Sequence, residues 1–150
     1  MNAQRLILYA EDDTNDAFLL ARAFEKVGID WPLRVVNDGE EAIAYLAGLP
    51  PFADRVQHPL PGLLLLDLKM PRKTGLEVLK WVRTTPQVCT LPVLMLTSSS
   101  QETDVHRAYL LGANGYLVKP NDPRELLSMV EAIRSFWLQK NFADFRSPAA

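Results

Sequence analysis

Leu63-Leu64-Leu65-Leu66-Asp67-Leu68-Lys69-Met70-Pro71 is the stretch on which the reading of this chain turns. Four apolar residues in a row suit a strand buried on both faces, as strands of parallel sheets are. Asp67 follows at once, and Pro71, which has no amide hydrogen to give to a ladder, ends the strand. In open parallel sheets ligands bind just beyond the carboxyl ends of the strands. Asp67 falls there, as a candidate nucleophile or metal ligand. A loop aspartate capping the next helix is the plainer alternative.

Working outward, four more short apolar runs appear: Leu6–Ala10, Leu33–Val36, Pro92–Leu96 and Gly115–Val118. Helical spacing fills the intervals. Ala17, Leu20, Ala21, Phe24 and Val27 make one stripe, closed by Gly28, and Ala42, Ile43, Leu46 and Ala47 a second, stopped by Gly48 and Pro50. Leu76, Leu79, Trp81 and Val82 form a third, and Val105, Ala108, Tyr109 and Leu111 a fourth, ending at Gly112. Asp122-Pro123 opens the fifth as a cap followed by proline at the first helical position, continuing through Leu126, Val130, Ile133 and Trp137. The order is (βα)5, an α/β doubly wound parallel five-stranded sheet with helices on both faces. Gly48–Gly62, with its prolines and Phe52, reads as an ordered, enlarged loop, and 141–150 as a tail carrying Phe142 and Phe145.

The chain has 150 residues, 48% of them hydrophobic and 23% charged, with a formal net charge of −2, which fits one globular domain and no nucleic-acid partner. No apolar run approaches the roughly 20 residues of a membrane span. No signal peptide is visible, and Cys89 is the only cysteine, so a reducing cytoplasm is the expected location.

Parallel strands bring the ends of runs 1, 3, 4 and 5 to one edge. Glu11-Asp12-Asp13, Asp67, Thr97-Ser98-Ser99-Ser100 and Lys119-Pro120 all lie there. Carboxylates so gathered repel one another unless a hard divalent cation joins them, and Mg2+ takes carboxylates, waters and phosphoryl oxygens. A hydroxyl and an ammonium suit the remaining oxygens of a phosphoryl group. The set describes phosphoryl transfer to an aspartate. Asp13 reads as the cap of the first helix. His58 and His106 have no partner at metal-ligand spacing.

These residues resemble the receiver domain of two-component response regulators. The motifs are Leu8-Tyr9-Ala10-Glu11-Asp12-Asp13, Asp67-Leu68-Lys69-Met70-Pro71-Arg72-Lys73-Thr74-Gly75, Leu94-Met95-Leu96-Thr97-Ser98 and Gly112-Ala113-Asn114-Gly115-Tyr116-Leu117-Val118-Lys119-Pro120. The resemblance implies a flavodoxin-like sheet of strand order 2-1-3-4-5 and a receiver spanning 1–140, with no attached output domain. Asp67 is then the phosphoacceptor. Asp12 is a direct Mg2+ ligand, Glu11 acts mostly through a metal-bound water, and the Lys69 main-chain carbonyl is a further ligand. Thr97 donates to the phosphoryl oxygen, Lys119 supplies the balancing charge across a cis bond to Pro120, and Tyr116 swings inward when Thr97 moves. Lys69 and Ser99 flank the path of the hydrolytic water.

The partner so implied is a sensor histidine kinase, with a downstream protein or phosphotransfer partner beyond it. Glu11-Asp12, the enlarged loop and Phe136-Trp137-Leu138 are similar to the small receivers paired with bacterial phytochrome kinases. Those imply a homodimer, formed through helix 4, strand 5 and helix 5 or through the tail. Two other classes compete. A binding module that works without phosphate would tolerate loss of Asp67, Thr97 or Lys119, all present here. A flavin carrier on the same topology needs a phosphate loop after the first strand, where Glu11-Asp12-Asp13 would repel the flavin phosphate.

Overall fold

The computed structural model describes residues 4–141, so Phe142 and Phe145 and the tail assigned to them lie outside the described residues. Strands β1 (Gln4–Ala10), β2 (Leu33–Val36), β3 (Pro61–Leu66), β4 (Val93–Thr97) and β5 (Gly115–Val118) alternate with helices α1 (Thr14–Val27), α2 (Gly39–Ala47), α3 (Gly75–Thr84), α4 (Glu102–Leu110) and α5 (Pro123–Ile133). All strand pairs are parallel and the order is β2-β1-β3-β4-β5. The expected fold is the observed one.

The leucine run explains why the sheet has two cores. Successive strand residues point to opposite faces, so Leu64 and Leu66 join Leu8, Ala10, Val78, Leu79 and Met95 on the side of α2, α3 and α4. Leu63 and Leu65 join Ile7, Tyr9, Leu20, Phe24, Leu94 and Ile133 on the side of α1 and α5. Every residue of β3 is buried, and each leucine removed from water there contributes about 2 kcal/mol.

Local chemistry fixes the helix starts. The Asp13 side chain caps α1 by accepting from the amides of Asn15 and Asp16, as expected. Asp38 caps α2, and Thr74 with Glu77 forms a capping box on α3. Asp122 caps α5 ahead of Pro123. At the other ends, Gly28 and Gly48 take φ of 83° and 73°, the left-handed region that closes α1 and α2.

The structure departs from the sequence reading at several points. β3 begins two residues earlier than the apolar run, and β4 is shifted one residue to Val93–Thr97, because ladder pairing with β1, β3 and β5 sets strand ends. Tyr45 is buried although it lay off the expected stripe of α2. Its hydroxyl donates to Pro59 O (2.9 Å), and its ring lies 5.1 Å from that of Phe52. Tyr109, placed on the α4 stripe, is instead 50% exposed, and only Ala108 of that helix is buried. After α5 the chain continues as a π-helical segment, Arg134–Lys140, in which Trp137 packs on the core while Phe136 is exposed. The enlarged loop is held by Arg55, whose guanidinium donates to Tyr45 O and Leu46 O (each 2.8 Å) at the carboxyl end of α2.

Candidate functional site: an acidic edge with a lysine

Each site residue stands at or just past a strand end, where main-chain pairing stops and side chains turn toward the edge. Leu66 pairs with Ala10 and with Met95, so Glu11, Asp67 and the end of β4 come out side by side. Thr97 pairs with Val118, which sets Lys119 beside them, and the Lys119 amide donates to Thr97 O (2.8 Å). The sequence places no residue type here that the fold scatters: Glu11, Asp12, Asp67, Thr97 and Lys119 share one edge.

Oxygens of Glu11, Asp12 and Asp67 lie within 4.8 Å of one another. Hard carboxylate oxygens at that spacing, with Asp12 exposed on the outer side, fit a divalent cation of the Mg2+ or Mn2+ kind. Asp67 is 6% exposed and both its oxygens are engaged. One accepts from the Leu68 amide (2.7 Å) and the other from the Lys119 ammonium (3.0 Å). Lys119 also donates to Asp16 (2.9 Å) and, through a short contact, to Glu11.

The bond from Lys119 to Pro120 corrects one expectation. The cis peptide among the described residues is Pro50–Pro51, and Lys119–Pro120 is trans. The ammonium reaches Asp67 without a cis turn because the bond from the Lys119 amide to Thr97 O already holds this strand end against β4.

Glu11 is 1% exposed, and its burial dominates its acidity. Loss of water pushes its carboxyl up to about 7, with Asp67 adding to the rise while Lys119 and the Asp13 amide oppose it. Burial pulls the Lys119 ammonium down, yet Glu11, Asp16 and Asp67 together hold it above the usual lysine range. Tyr9 donates its hydroxyl to Glu11 (2.8 Å), and burial, then Glu11, raise that phenol far above its ordinary value.

Beyond the charged cluster, Thr97 is buried, and its Oγ1 is 3.4 Å from the Ser99 amide. Ser99 donates to Asp104 of α4 (2.6 Å), and Tyr116 donates its hydroxyl to Ser99 O (2.9 Å). Tyr116 is thereby tied to the loop that follows Thr97. Lys69 is exposed, on the rim of an open groove of about 570 Å³ beside α3 and α4, whose lining does not include Asp67. His58 packs edge-on against Tyr45 and Phe52 and takes no part in the site.

Three features escaped the sequence reading. Tyr9 precedes Glu11 by two positions and so shares its face of β1, a signal that strand alternation contains. Asp16 reads only as an acid favoured in the first turn of a helix. Gly75 stands against Asp67 so closely that a Cβ there would fall 2.1 Å from Asp67 O.

A parallel sheet carrying an aspartate, an acidic pair, a hydroxyl and a lysine on its carboxyl edge is the arrangement of the receiver class. The sequence profile of the response regulator receiver domain matches residues 7–131, and the chain belongs to that family. Response regulator Rcp1 of Synechocystis sp. is 37% identical over 138 residues, which is 92% of either chain. The Mn(2+)-bound crystal structure of Rcp1 superposes with a TM-score of 0.85 at 35% identity, covering 94% of this chain and 99% of that one. The phosphorylated cyanobacterial phytochrome response regulator RcpA gives a TM-score of 0.86 at 33% identity, with the same coverage. Among the described residues no helix is long and apolar enough to cross a membrane.

Proposed function

We propose that Asp67 accepts a phosphoryl group from a phosphohistidine of a partner sensor histidine kinase, and that the acyl phosphate switches binding to other proteins. The observation that carries this is the Lys119 ammonium held 3.0 Å from the Asp67 carboxylate at the edge where Glu11 and Asp12 also converge. An Asp67 oxygen forms the new O–P bond as the P–N bond of the donor breaks, and the electron pair leaves with the imidazole nitrogen. A carboxylate oxygen attacks with its own lone pair and has no proton to shed, so the transfer needs no general base. Hydrolysis later returns the carboxylate and inorganic phosphate, with Lys69 and Ser99 flanking the path of the water.

Glu11, Asp12, Asp67 and the Lys69 main-chain carbonyl are the groups that would hold Mg2+. When bound, the cation neutralises charge that donor and acceptor would otherwise oppose to each other. Lys119 provides the charge on the opposite side, and Thr97 hydrogen-bonds the transferred group. The ties from Thr97 to Ser99 and from Ser99 to Tyr116 make these residues the elements that transmit the change to α4 and β5.

The receiver extends over 1–140, with an enlarged loop between α2 and β3. Likeness to RcpA supports a phytochrome-type kinase as the donor, acting in the cytoplasm. Tyr109, Leu110, Val118 and Phe136 are exposed on α4, β5 and the π-helical segment after α5, residues suited to a homodimer or a downstream partner.

Incubation with acetyl phosphate and Mg2+, followed by intact-mass measurement, tests the assignment. One phosphoryl adduct is expected on the wild-type chain and none on Asp67→Asn. An unlabelled wild type, or an adduct that survives the substitution, overturns it.

A further inference from the structure

We propose that Asp16 is a positioning residue for this transfer: it holds the Lys119 ammonium in reserve and sets how readily that ammonium passes to the phosphoryl group. The inference rests on the phosphoacceptor reading of Asp67. An ammonium carries three N–H donors and no more. In the unphosphorylated protein all three have carboxylate partners: Glu11, Asp67 at 3.0 Å and Asp16 at 2.9 Å. Lys119 is therefore saturated, and a phosphoryl oxygen gains a hydrogen bond from it only when one partner lets go.

The three partners differ in what release would leave behind. Glu11 is buried, and its carboxylate would lose its cation with almost no water to replace it. Asp67 is the group being phosphorylated. Asp16 stands in the first turn of α1 with its side chain 36% exposed, so water and the helix amino terminus support it when the ammonium leaves. Asp16 is the partner most easily exchanged. It also adds a negative charge beside the acceptor, sharing the same ammonium, and that charge repels an anionic phosphoryl donor. Both effects act in one direction, so Asp16 restrains phosphorylation.

The test compares wild type, Asp16→Asn and Asp16→Glu at saturating Mg2+, reading the rate of acyl-phosphate formation from acetyl phosphate by intact mass and beryllofluoride affinity by fluorine NMR. Asp16→Asn is expected to be labelled about three- to tenfold faster, the rate equivalent of one partly exposed ion pair, and to bind beryllofluoride more tightly. Asp16→Glu, whose longer carboxylate still reaches Lys119, is expected to return toward the wild-type rate. Asp16→Ser guards against an artefact of folding and must show the same acceleration, with urea midpoints confirming that each variant is native. Equal or slower labelling of Asp16→Asn and Asp16→Ser, with the wild type labelled normally, overturns this inference and leaves the function of Asp67 standing. An unlabelled wild type overturns the function itself.

Discussion

Replacing Lys119 by Met takes the cation out of the middle of Glu11, Asp16 and Asp67 while keeping much of the side-chain volume. At 3.0 Å and an effective dielectric constant of about 20, the Asp67 arm alone is worth roughly 5 kcal/mol before desolvation is subtracted. The Asp16 arm, partly in water, adds less. Removing one member of a buried pair costs about 3–5 kcal/mol, which for a domain of this size lowers Tm by about 10 °C.

The loss depends on pH through Glu11. Its carboxyl is already pushed up to about 7 by burial, so the folded state binds a proton more readily than the unfolded chain. The stability that this proton confers is full below pH 4.5, the unfolded value, and is lost as pH rises through about 7. Without Lys119 the folded pKa climbs further, and the variant can partly neutralise its cluster at pH 6 but less so at pH 8. Urea denaturation in EDTA, followed by tryptophan fluorescence, is expected to show a loss of about 2 kcal/mol at pH 6 and about 3–5 kcal/mol at pH 8. Excess Mg2+ is expected to restore much of the deficit, since a ligand that binds only the native state stabilises it. A loss under about 1 kcal/mol at pH 8, or one independent of pH, would refute the reasoning.

Two further substitutions test what surrounds the cluster. Gly75→Ala sets a Cβ 2.1 Å from the main-chain oxygen of Asp67, where no side-chain rotation relieves the clash. It is expected to lower stability by about 3 kcal/mol and acetyl-phosphate labelling at least tenfold through displacement of Asp67, and native stability with normal labelling would contradict the close approach. Arg55→Met strips its donors from Tyr45 O, Leu46 O and His58 O. Hydrogen exchange is expected to quicken across the loop 48–60 and not in β4, with a loss of about 2 kcal/mol and unchanged labelling at Asp67.

The strand–helix alternation, both faces of the β3 leucines and the list of residues at the carboxyl edge are local properties, written as periodicity and as the residue type that ends each strand. They needed no coordinates, and the caps Asp13 and Asp122 were legible for the same reason. Strand limits, the burial of Tyr45, the exposure of Tyr109 and the trans bond before Pro120 depend on which neighbour each segment meets, and sequence spacing carries no record of that. The partners of Lys119 show the division most clearly. That this lysine would share an edge with Asp67 followed from parallel strands, and its role there from the family resemblance, whereas its saturation was decided only when Asp16 of α1, 103 residues away in the chain, was brought to the end of β5. Hydrogen bonds act over about three ångströms, and only the packed sheet brings groups so distant in sequence within that reach.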